Sequence, residues 1–205
     1  MLRIGLTGGI AAGKSVAARR LAELGAVVID HDLLAREAVA PGTIGLERVV
    51  EEFGDGVLDP DGELDRAALG HIVFGNHEAR ARLNELVHPE IHRLSVEREA
   101  AAGAADPGAV VVHDIPLLVE TGQEDAFHIL VVVDAPADLR IRRLVEGRGL
   151  SLPEARQRVA AQASDDVRRA AADVVVSGAR SEDELRAAVD ALWARLQDEV
   201  AEEVV

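Results

Sequence analysis

The chain has 205 residues, 48% of them hydrophobic and only 2% aromatic, which is enough for one ordinary domain built on Ala, Val, Leu and Ile and too apolar for a disordered chain. Cysteine is absent, which excludes a disulfide scaffold, a thiolate metal site and a cysteine nucleophile. The net charge of −15, from 22 cations and 37 anions, speaks against an electrostatic grip on duplex nucleic acid.

Leu2 to Leu6 is a short apolar run bounded by Thr7-Gly8-Gly9, and it predicts a buried strand. Lys14 to Leu24 follows a helical period and stops at Gly25. Ala26 to Ile29 predicts a second strand, ending in Asp30-His31-Asp32. The next stretch reads as helical over Thr43 to Phe53, Arg66 to Phe74 and Asn76 to Ala101, with a break expected at His88-Pro89. Ala100 to Gly108 reads as a loop or helix end. Val110 to Val112, His128 to Val133 and Val174 to Val176 predict three further strands, the first two ending in His113-Asp114 and Asp134. Continuous β-branched runs of this kind suit a parallel sheet covered on both faces, so the expected class is α/β, doubly wound. A second inserted region, rich in Arg, spans about residues 140–165. The last helix is expected from Ser181 to Leu196, with Ser181 as N-cap, Glu184 completing a capping box, and Leu185, Val189, Leu192 and Leu196 on one face. Trp193 reads as packing, and the tail from Glu199 to Val205 as a frayed helix end without chemistry. No run of 18 apolar residues exists, and the start lacks the h-region of a signal peptide, so no membrane segment and a cytoplasmic location are expected.

The cations are 21 Arg and a single Lys, Lys14. An ammonium is a compact point charge that a planar guanidinium does not replace. Lys14 stands in Gly8-Gly9-Ile10-Ala11-Ala12-Gly13-Lys14-Ser15, which matches G-x-x-x-x-G-K-[ST] between a predicted strand and a predicted helix. In that context Thr7, Gly8, Gly9, Ala11, Ala12, Gly13, Lys14, Ser15 and Val16 form a phosphate loop whose N–H groups cradle phosphate oxygens. Lys14 then reaches the β- and γ-phosphates of a bound nucleotide, and the Ser15 hydroxyl is placed for Mg²⁺. The motif alone does not separate kinases from other nucleotide-binding proteins. A guanine-reading Asn-Lys-x-Asp motif cannot exist in a chain whose only Lys is Lys14, which argues against a GTPase.

Ligands of open α/β sheets bind beyond the carboxyl ends of the strands, where Asp30, Asp32, Asp114 and Asp134 fall. Asp32 is the candidate base for an attacking hydroxyl. Asp114 resembles a Walker-B acid with an indirect role in holding Mg²⁺. Asp30 and Asp134 are equally readable as helix N-caps. Among the clustered arginines, Arg143 and Arg148 are the candidates for stabilising the transferring phosphoryl group, while Arg142, Arg156 and Arg158 read as solvated positions.

Taken in order and spacing, these motifs resemble the dephospho-CoA kinase family over nearly the whole chain. The likeness is carried by Gly5-Leu6-Thr7-Gly8-Gly9-Ile10, Ile29-Asp30-His31-Asp32 with Ala35-Arg36, Leu83-Asn84 ahead of His88-Pro89, Pro116-Leu117-Leu118 followed by Glu120, the Arg143 to Arg148 stretch with Ala160-Ala161-Gln162, and Ala172-Asp173-Val174-Val175. The resemblance implies a single P-loop kinase domain: a three-layer fold with a parallel sheet of about five strands, a helical CoA-binding insert over about 36–107, and a lid over about 140–165. It implies transfer of the ATP γ-phosphate to the ribose 3′-hydroxyl of dephospho-CoA, with ATP, Mg²⁺ and dephospho-CoA as the only partners, and a monomer or weak homo-oligomer. It matches Asp32 to the family's base and Arg143 to a lid arginine. It places Arg36, His88, Pro116, Leu117 and Glu120 on the acceptor side. A kinase for another small nucleoside or nucleotide, and a non-catalytic ATP-binding regulator, are the alternatives.

The chain departs from the family pattern at three places. Ala11-Ala12 stands where Gly-Ser is usual, and keeps the cradle if φ stays negative there. Val16 replaces a Thr. Ser177-Gly178 stands where Asp-Asn is usual, with Arg180 in place of a Gly.

Overall fold

The computed structural model describes residues 1–203, with side chains described to residue 200. The strands are β1 (Leu2–Gly8), β2 (Val27–Asp30), β3 (Val110–Asp114), β4 (Ile129–Asp134) and β5 (Val174–Ser177), in the sheet order β2-β3-β1-β4-β5. The pairs β1–β3, β1–β4 and β4–β5 are parallel, with Leu6 opposite Asp114 and Gly8 opposite Val133. The central strands β1, β3 and β4 are buried almost throughout, as continuous Val, Ile and Leu runs require when helices cover both faces. This is the α/β class expected from the sequence.

The helices are α1 (Lys14–Leu24), α2 (His31–Glu37), α3 (Ile44–Phe53), α4 (Arg66–Val73), α5 (His77–Ala105), α6 (Ala137–Arg148), α7 (Leu152–Ala160), α8 (Asp165–Ala171) and α9 (Glu182–Glu203). The chain divides into two compact units. One comprises residues 1–29 and 102–205, and the other residues 30–101. None of the described helices is long and apolar enough to cross a membrane.

The sheet unit has two cores, one on each face of the sheet. Leu2, Ile4 and Leu6 of β1 pack with Ala17 and Leu21 of α1 and with Leu185, Val189, Leu192 and Leu196 of α9. Trp193 packs partly buried beside them, as the sequence suggested. Ile115, Leu118, Leu130 and Val132 form the second core with Phe127. Gly5 is required in β1, because a Cβ there would stand 2.8 Å from the Phe127 ring and 2.9 Å from Leu118. The predicted capping box of α9 is present, with Glu184 accepting from Ser181 N–H and Ser181 Oγ accepting from Glu184 N–H. Of the tail reading, residues 199–203 belong to α9 as its last turn, and Val204 and Val205 lie outside the described residues.

The helical unit has its own small core of Val39, Val49, Val57 and Leu69, with Leu83 and Val87 of α5 packed against it. Here the structure differs from the sequence reading at two points. The break expected at His88-Pro89 does not occur, and α5 runs through Pro89 for 29 residues. An interior proline removes one helical bond and crowds the preceding turn, at about 3 kcal/mol. That cost is offset by the Leu83 and Val87 packing and by Arg93, which pairs with Glu90 and Glu97 on the turns that follow. The second difference is α2, which begins directly after β2 and takes Asp30 as its N-cap, one of the two readings the sequence left open for that residue.

Candidate active site

The loop between β1 and α1 is shaped by glycines and by its neighbours. A Cβ on Gly8 would lie 2.5 Å from the Val133 carbonyl oxygen. Gly13 has φ 114° and caps α1 without any side-chain bond, and the first turn of α1 holds no acid. The helix therefore presents open N–H groups and the positive end of its dipole, which is an anion site by construction. Ala12 N–H donates to the Gly9 carbonyl at 2.9 Å and closes the turn. Thr7 is fully buried and its hydroxyl donates to the Pro116 carbonyl at 3.3 Å. The Val16 side chain is partly buried and packs against the sheet core.

The expectation of negative φ in the loop fails at Ala11. Its φ is 62°, and among the described residues it is the one non-glycine with positive φ. An L-residue in that region is strained, because Cβ crowds its own carbonyl. The Ala11 carbonyl is held in the strained turn by Arg143 Nη1 at 3.1 Å, which also reaches the Ala12 carbonyl at 3.3 Å. Arg143 Nη2 donates to Gly178 O at 2.8 Å. One guanidinium thus ties the phosphate loop to the turn after β5. Of the Ser177-Gly178 departure, Gly178 has a physical reason here, because a Cβ at 178 would fall 1.9 Å from the Ala12 carbonyl oxygen, whereas nothing in the structure explains Ser177.

Lys14 Nζ pairs with the Asp114 carboxylate, at the carboxyl end of β3. Ser15 is exposed in the first turn of α1. A serine hydroxyl and an aspartate carboxylate beside a phosphate cradle are the hard oxygen donors that suit Mg²⁺, which is held by few protein ligands and mostly by phosphate and water. Asp134 is not an N-cap. It accepts from Arg169 at 2.9 Å, and its backbone carbonyl accepts from Gly178 N–H at 2.7 Å.

Glu120, read as an acceptor-side residue, has its Oε1 engaged by Ala163 N–H at 3.0 Å and by Arg168 Nη1 at 3.3 Å. Leu117 is exposed. Arg148 lies exposed in the last turn of α6, and Arg142, Arg156 and Arg158 are exposed, as read for the latter three. Sequence reasoning missed Arg140 and Arg168, which are 2% and 1% exposed and share the Asp165 carboxylate, each at 2.6 Å. The available signal was helical phase: Arg140 stands four residues before the buried Leu144, on the covered face of α6.

Four candidates, Asp30, Asp32, Arg36 and His88, belong to the helical unit. Asp30 caps α2, accepting from Asp32 N–H at 2.9 Å and Leu33 N–H at 3.1 Å, which is the N-cap reading of that residue. Asp32 follows in the first turn, exposed, and Arg36 is exposed one turn later on the same face. His31 between the two acids is held down to about 4 by burial, against the opposing pull of Asp30 and Asp32. It is therefore neutral at pH 7. His88 is exposed on α5.

A family profile described as Dephospho-CoA kinase matches residues 2–184. The chain belongs to the dephospho-CoA kinase family. It is 48% identical over 197 residues to the dephospho-CoA kinase of Thermobifida fusca, covering 96% of this chain and 97% of that one. It is 51% identical to the enzyme of Leifsonia xyli, covering 96% and 100%. The solved dephospho-CoA kinase of Campylobacter jejuni superposes with a TM-score of 0.73 at 25% identity, covering 96% and 98%. The fold is that of a P-loop kinase.

Proposed function

We propose that this chain phosphorylates the ribose 3′-hydroxyl of dephospho-CoA with ATP, giving coenzyme A and ADP. The observation that carries the donor half is the loop of residues 8–15, with its uncapped helix start, its sole Lys and the Asp114 carboxylate paired to that Lys. Family membership carries the acceptor. Within this reading, the loop amides and Lys14 hold the donor phosphates. Ser15 and Asp114 would hold Mg²⁺, which when bound supplies positive charge to the β- and γ-phosphates. Asp32 accepts the proton of the 3′-hydroxyl as its oxygen bonds to the γ-phosphorus and the bond to the β–γ bridging oxygen breaks, releasing ADP. Arg143 keeps the loop in shape through the Ala11 and Ala12 carbonyls. Arg36, His88, Pro116 and Leu117 serve acceptor binding, with residues 36–107 as the CoA-binding insert and 140–165 as the lid. The protein acts in the cytoplasm.

The test is ADP release from MgATP that depends on dephospho-CoA, with coenzyme A as product. No acceptor-dependent release overturns the reading, and a preference for another nucleoside across a substrate panel redirects it. Asp32→Asn is expected to cut turnover by about 10²–10⁴-fold, the usual worth of a general base, while MgATP binds as before. Near-normal turnover in that variant removes Asp32 as the base.

A further inference from the structure

A buried cation is tolerated only when it is paired and hydrogen-bonded, so two adjacent buried guanidiniums need a reason. Arg140 Nε donates to the Ala135 carbonyl at 2.9 Å and Nη2 to Asp165 Oδ1 at 2.6 Å, while the buried Nη1 has no hydrogen-bond partner among the described residues. Arg168 donates to the same Asp165 oxygen and to Glu120. Both guanidiniums press on one point of the phosphate loop. A Cβ built on Gly9 would lie 2.6 Å from Arg140 Nη1, 2.8 Å from its Cζ and 3.1 Å from Arg168 Nη2. The next residue is pinned by the same segment, since Ile10 N–H donates to Gln162 Oε1 at 2.7 Å. Asp165 and Glu120, the balancing acids, keep side chains 20% and 18% exposed, whereas the cations are sealed in. Two buried guanidiniums are thus held against the loop at Gly9, with their balancing carboxylates reaching toward solvent, and are fixed in place before any anion arrives.

We propose that Arg140, braced by Arg168 through Asp165, is a positioning residue for the donor nucleotide: it backs the phosphate loop at Gly9, fixes the path of the loop and lends positive charge to the polyphosphate bound on its other side. This rests on the reading of residues 8–15 as the phosphate loop.

A structural role and this one differ in which ligand suffers. ADP, AMP and adenosine share the base and ribose and differ in phosphate charge. Arg140→Gln is expected to weaken MgADP binding at least tenfold in calorimetry, AMP less, and adenosine by no more than twofold, with the KM for ATP rising and that for dephospho-CoA unchanged. Arg140→Lys, which retains a charge but loses the fork, is expected to fall between parent and Arg140→Gln. The proposal is overturned if folded Arg140→Gln binds MgADP within twofold of the parent, or loses ADP and adenosine in equal ratio. Should Arg140→Gln fail to fold, the ADP-to-adenosine ratio is read on Arg140→Lys, where a threefold selective loss supports the proposal and an unchanged ratio overturns it. A parent chain that binds no MgADP at all is a distinct failure, that of the phosphate-loop reading itself.

Discussion

The chain passes from strand to helix at β1–α1 and again at β2–α2, and the two junctions are built with opposite electrostatics. After β1 the helix starts on Gly13, with no side-chain cap and no acid in its first turn. After β2 it starts on Asp30, whose carboxylate takes two of the first N–H groups, and Asp32 adds a second acid. Capping satisfies the orphan donors of a helix and closes it to anions, whereas leaving them open creates a binding site. One junction is therefore prepared for phosphate. The other is closed to phosphate and carries an additional exposed carboxylate. A single local choice, Gly or Asp at the N-cap, separates an open helix start from a closed one.

The sharpest way to break this contrast is at the only lysine. Lys14→Arg keeps the charge at the open junction but replaces a point ammonium by a planar fork, and the pairing with Asp114 is built for the former. Turnover with MgATP and dephospho-CoA is expected to fall about a thousandfold, about 4 kcal/mol of transition-state stabilisation. Wild-type turnover in Lys14→Arg would reduce the site to a generic cationic cradle.

The closed junction is tested through pH. His31 is held down to about 4 in the folded chain, chiefly by burial. An unfolded chain protonates its histidines near pH 6.5. Between these values the unfolded state binds a proton that the folded state refuses, so the contribution of His31 is fully present above about pH 6.5, declines as pH falls and levels off below about pH 4. Discounted for its partial exposure, the loss amounts to about 2 kcal/mol. Urea melts at pH 7 and 4.5 isolate it from the carboxylates: His31→Asn is expected to lose less stability over that interval than the parent. Equal losses would mean that His31 titrates normally and that the Asp30 turn is open to water.

Much of this architecture was legible in the sequence. The strands carry continuous Val and Ile runs, and the phosphate loop is a contiguous motif whose spacing is dictated by the loop itself. Asp114 at the end of β3 was legible as well, because position at a strand end follows from the strand. The contacts of the arginines were not, although Arg143 was singled out. Arg140 and Arg143 differ in surroundings through the helical phase of α6 and through partners at Ala11, Asp165 and Gly178, all distant in sequence. In a chain with 21 Arg, residue type carried little information, and burial, which separates them, is a tertiary property. Pro89 misled for a related reason, because local propensity argued for a break and the packing of Leu83 and Val87 overrode it.

The smallest expected effect lies at Ala11, where sequence and backbone disagree. A left-handed conformation costs an L-residue about 1–2 kcal/mol, and glycine adopts it freely. Glycine also raises the entropy of the unfolded chain, which takes back about 0.4–1 kcal/mol. Ala11→Gly is therefore expected to stabilise the fold by about 0.5–1 kcal/mol, seen as a rise of about 2 °C in Tm. The strain is maintained by Arg143, which holds the Ala11 carbonyl, so the gain should vanish in an Arg143→Met background, where the loop can relax without glycine. A loss of stability on Ala11→Gly in the parent would show that the open junction is not under strain. Its cradle would then owe its shape to the glycines at 8 and 13 alone.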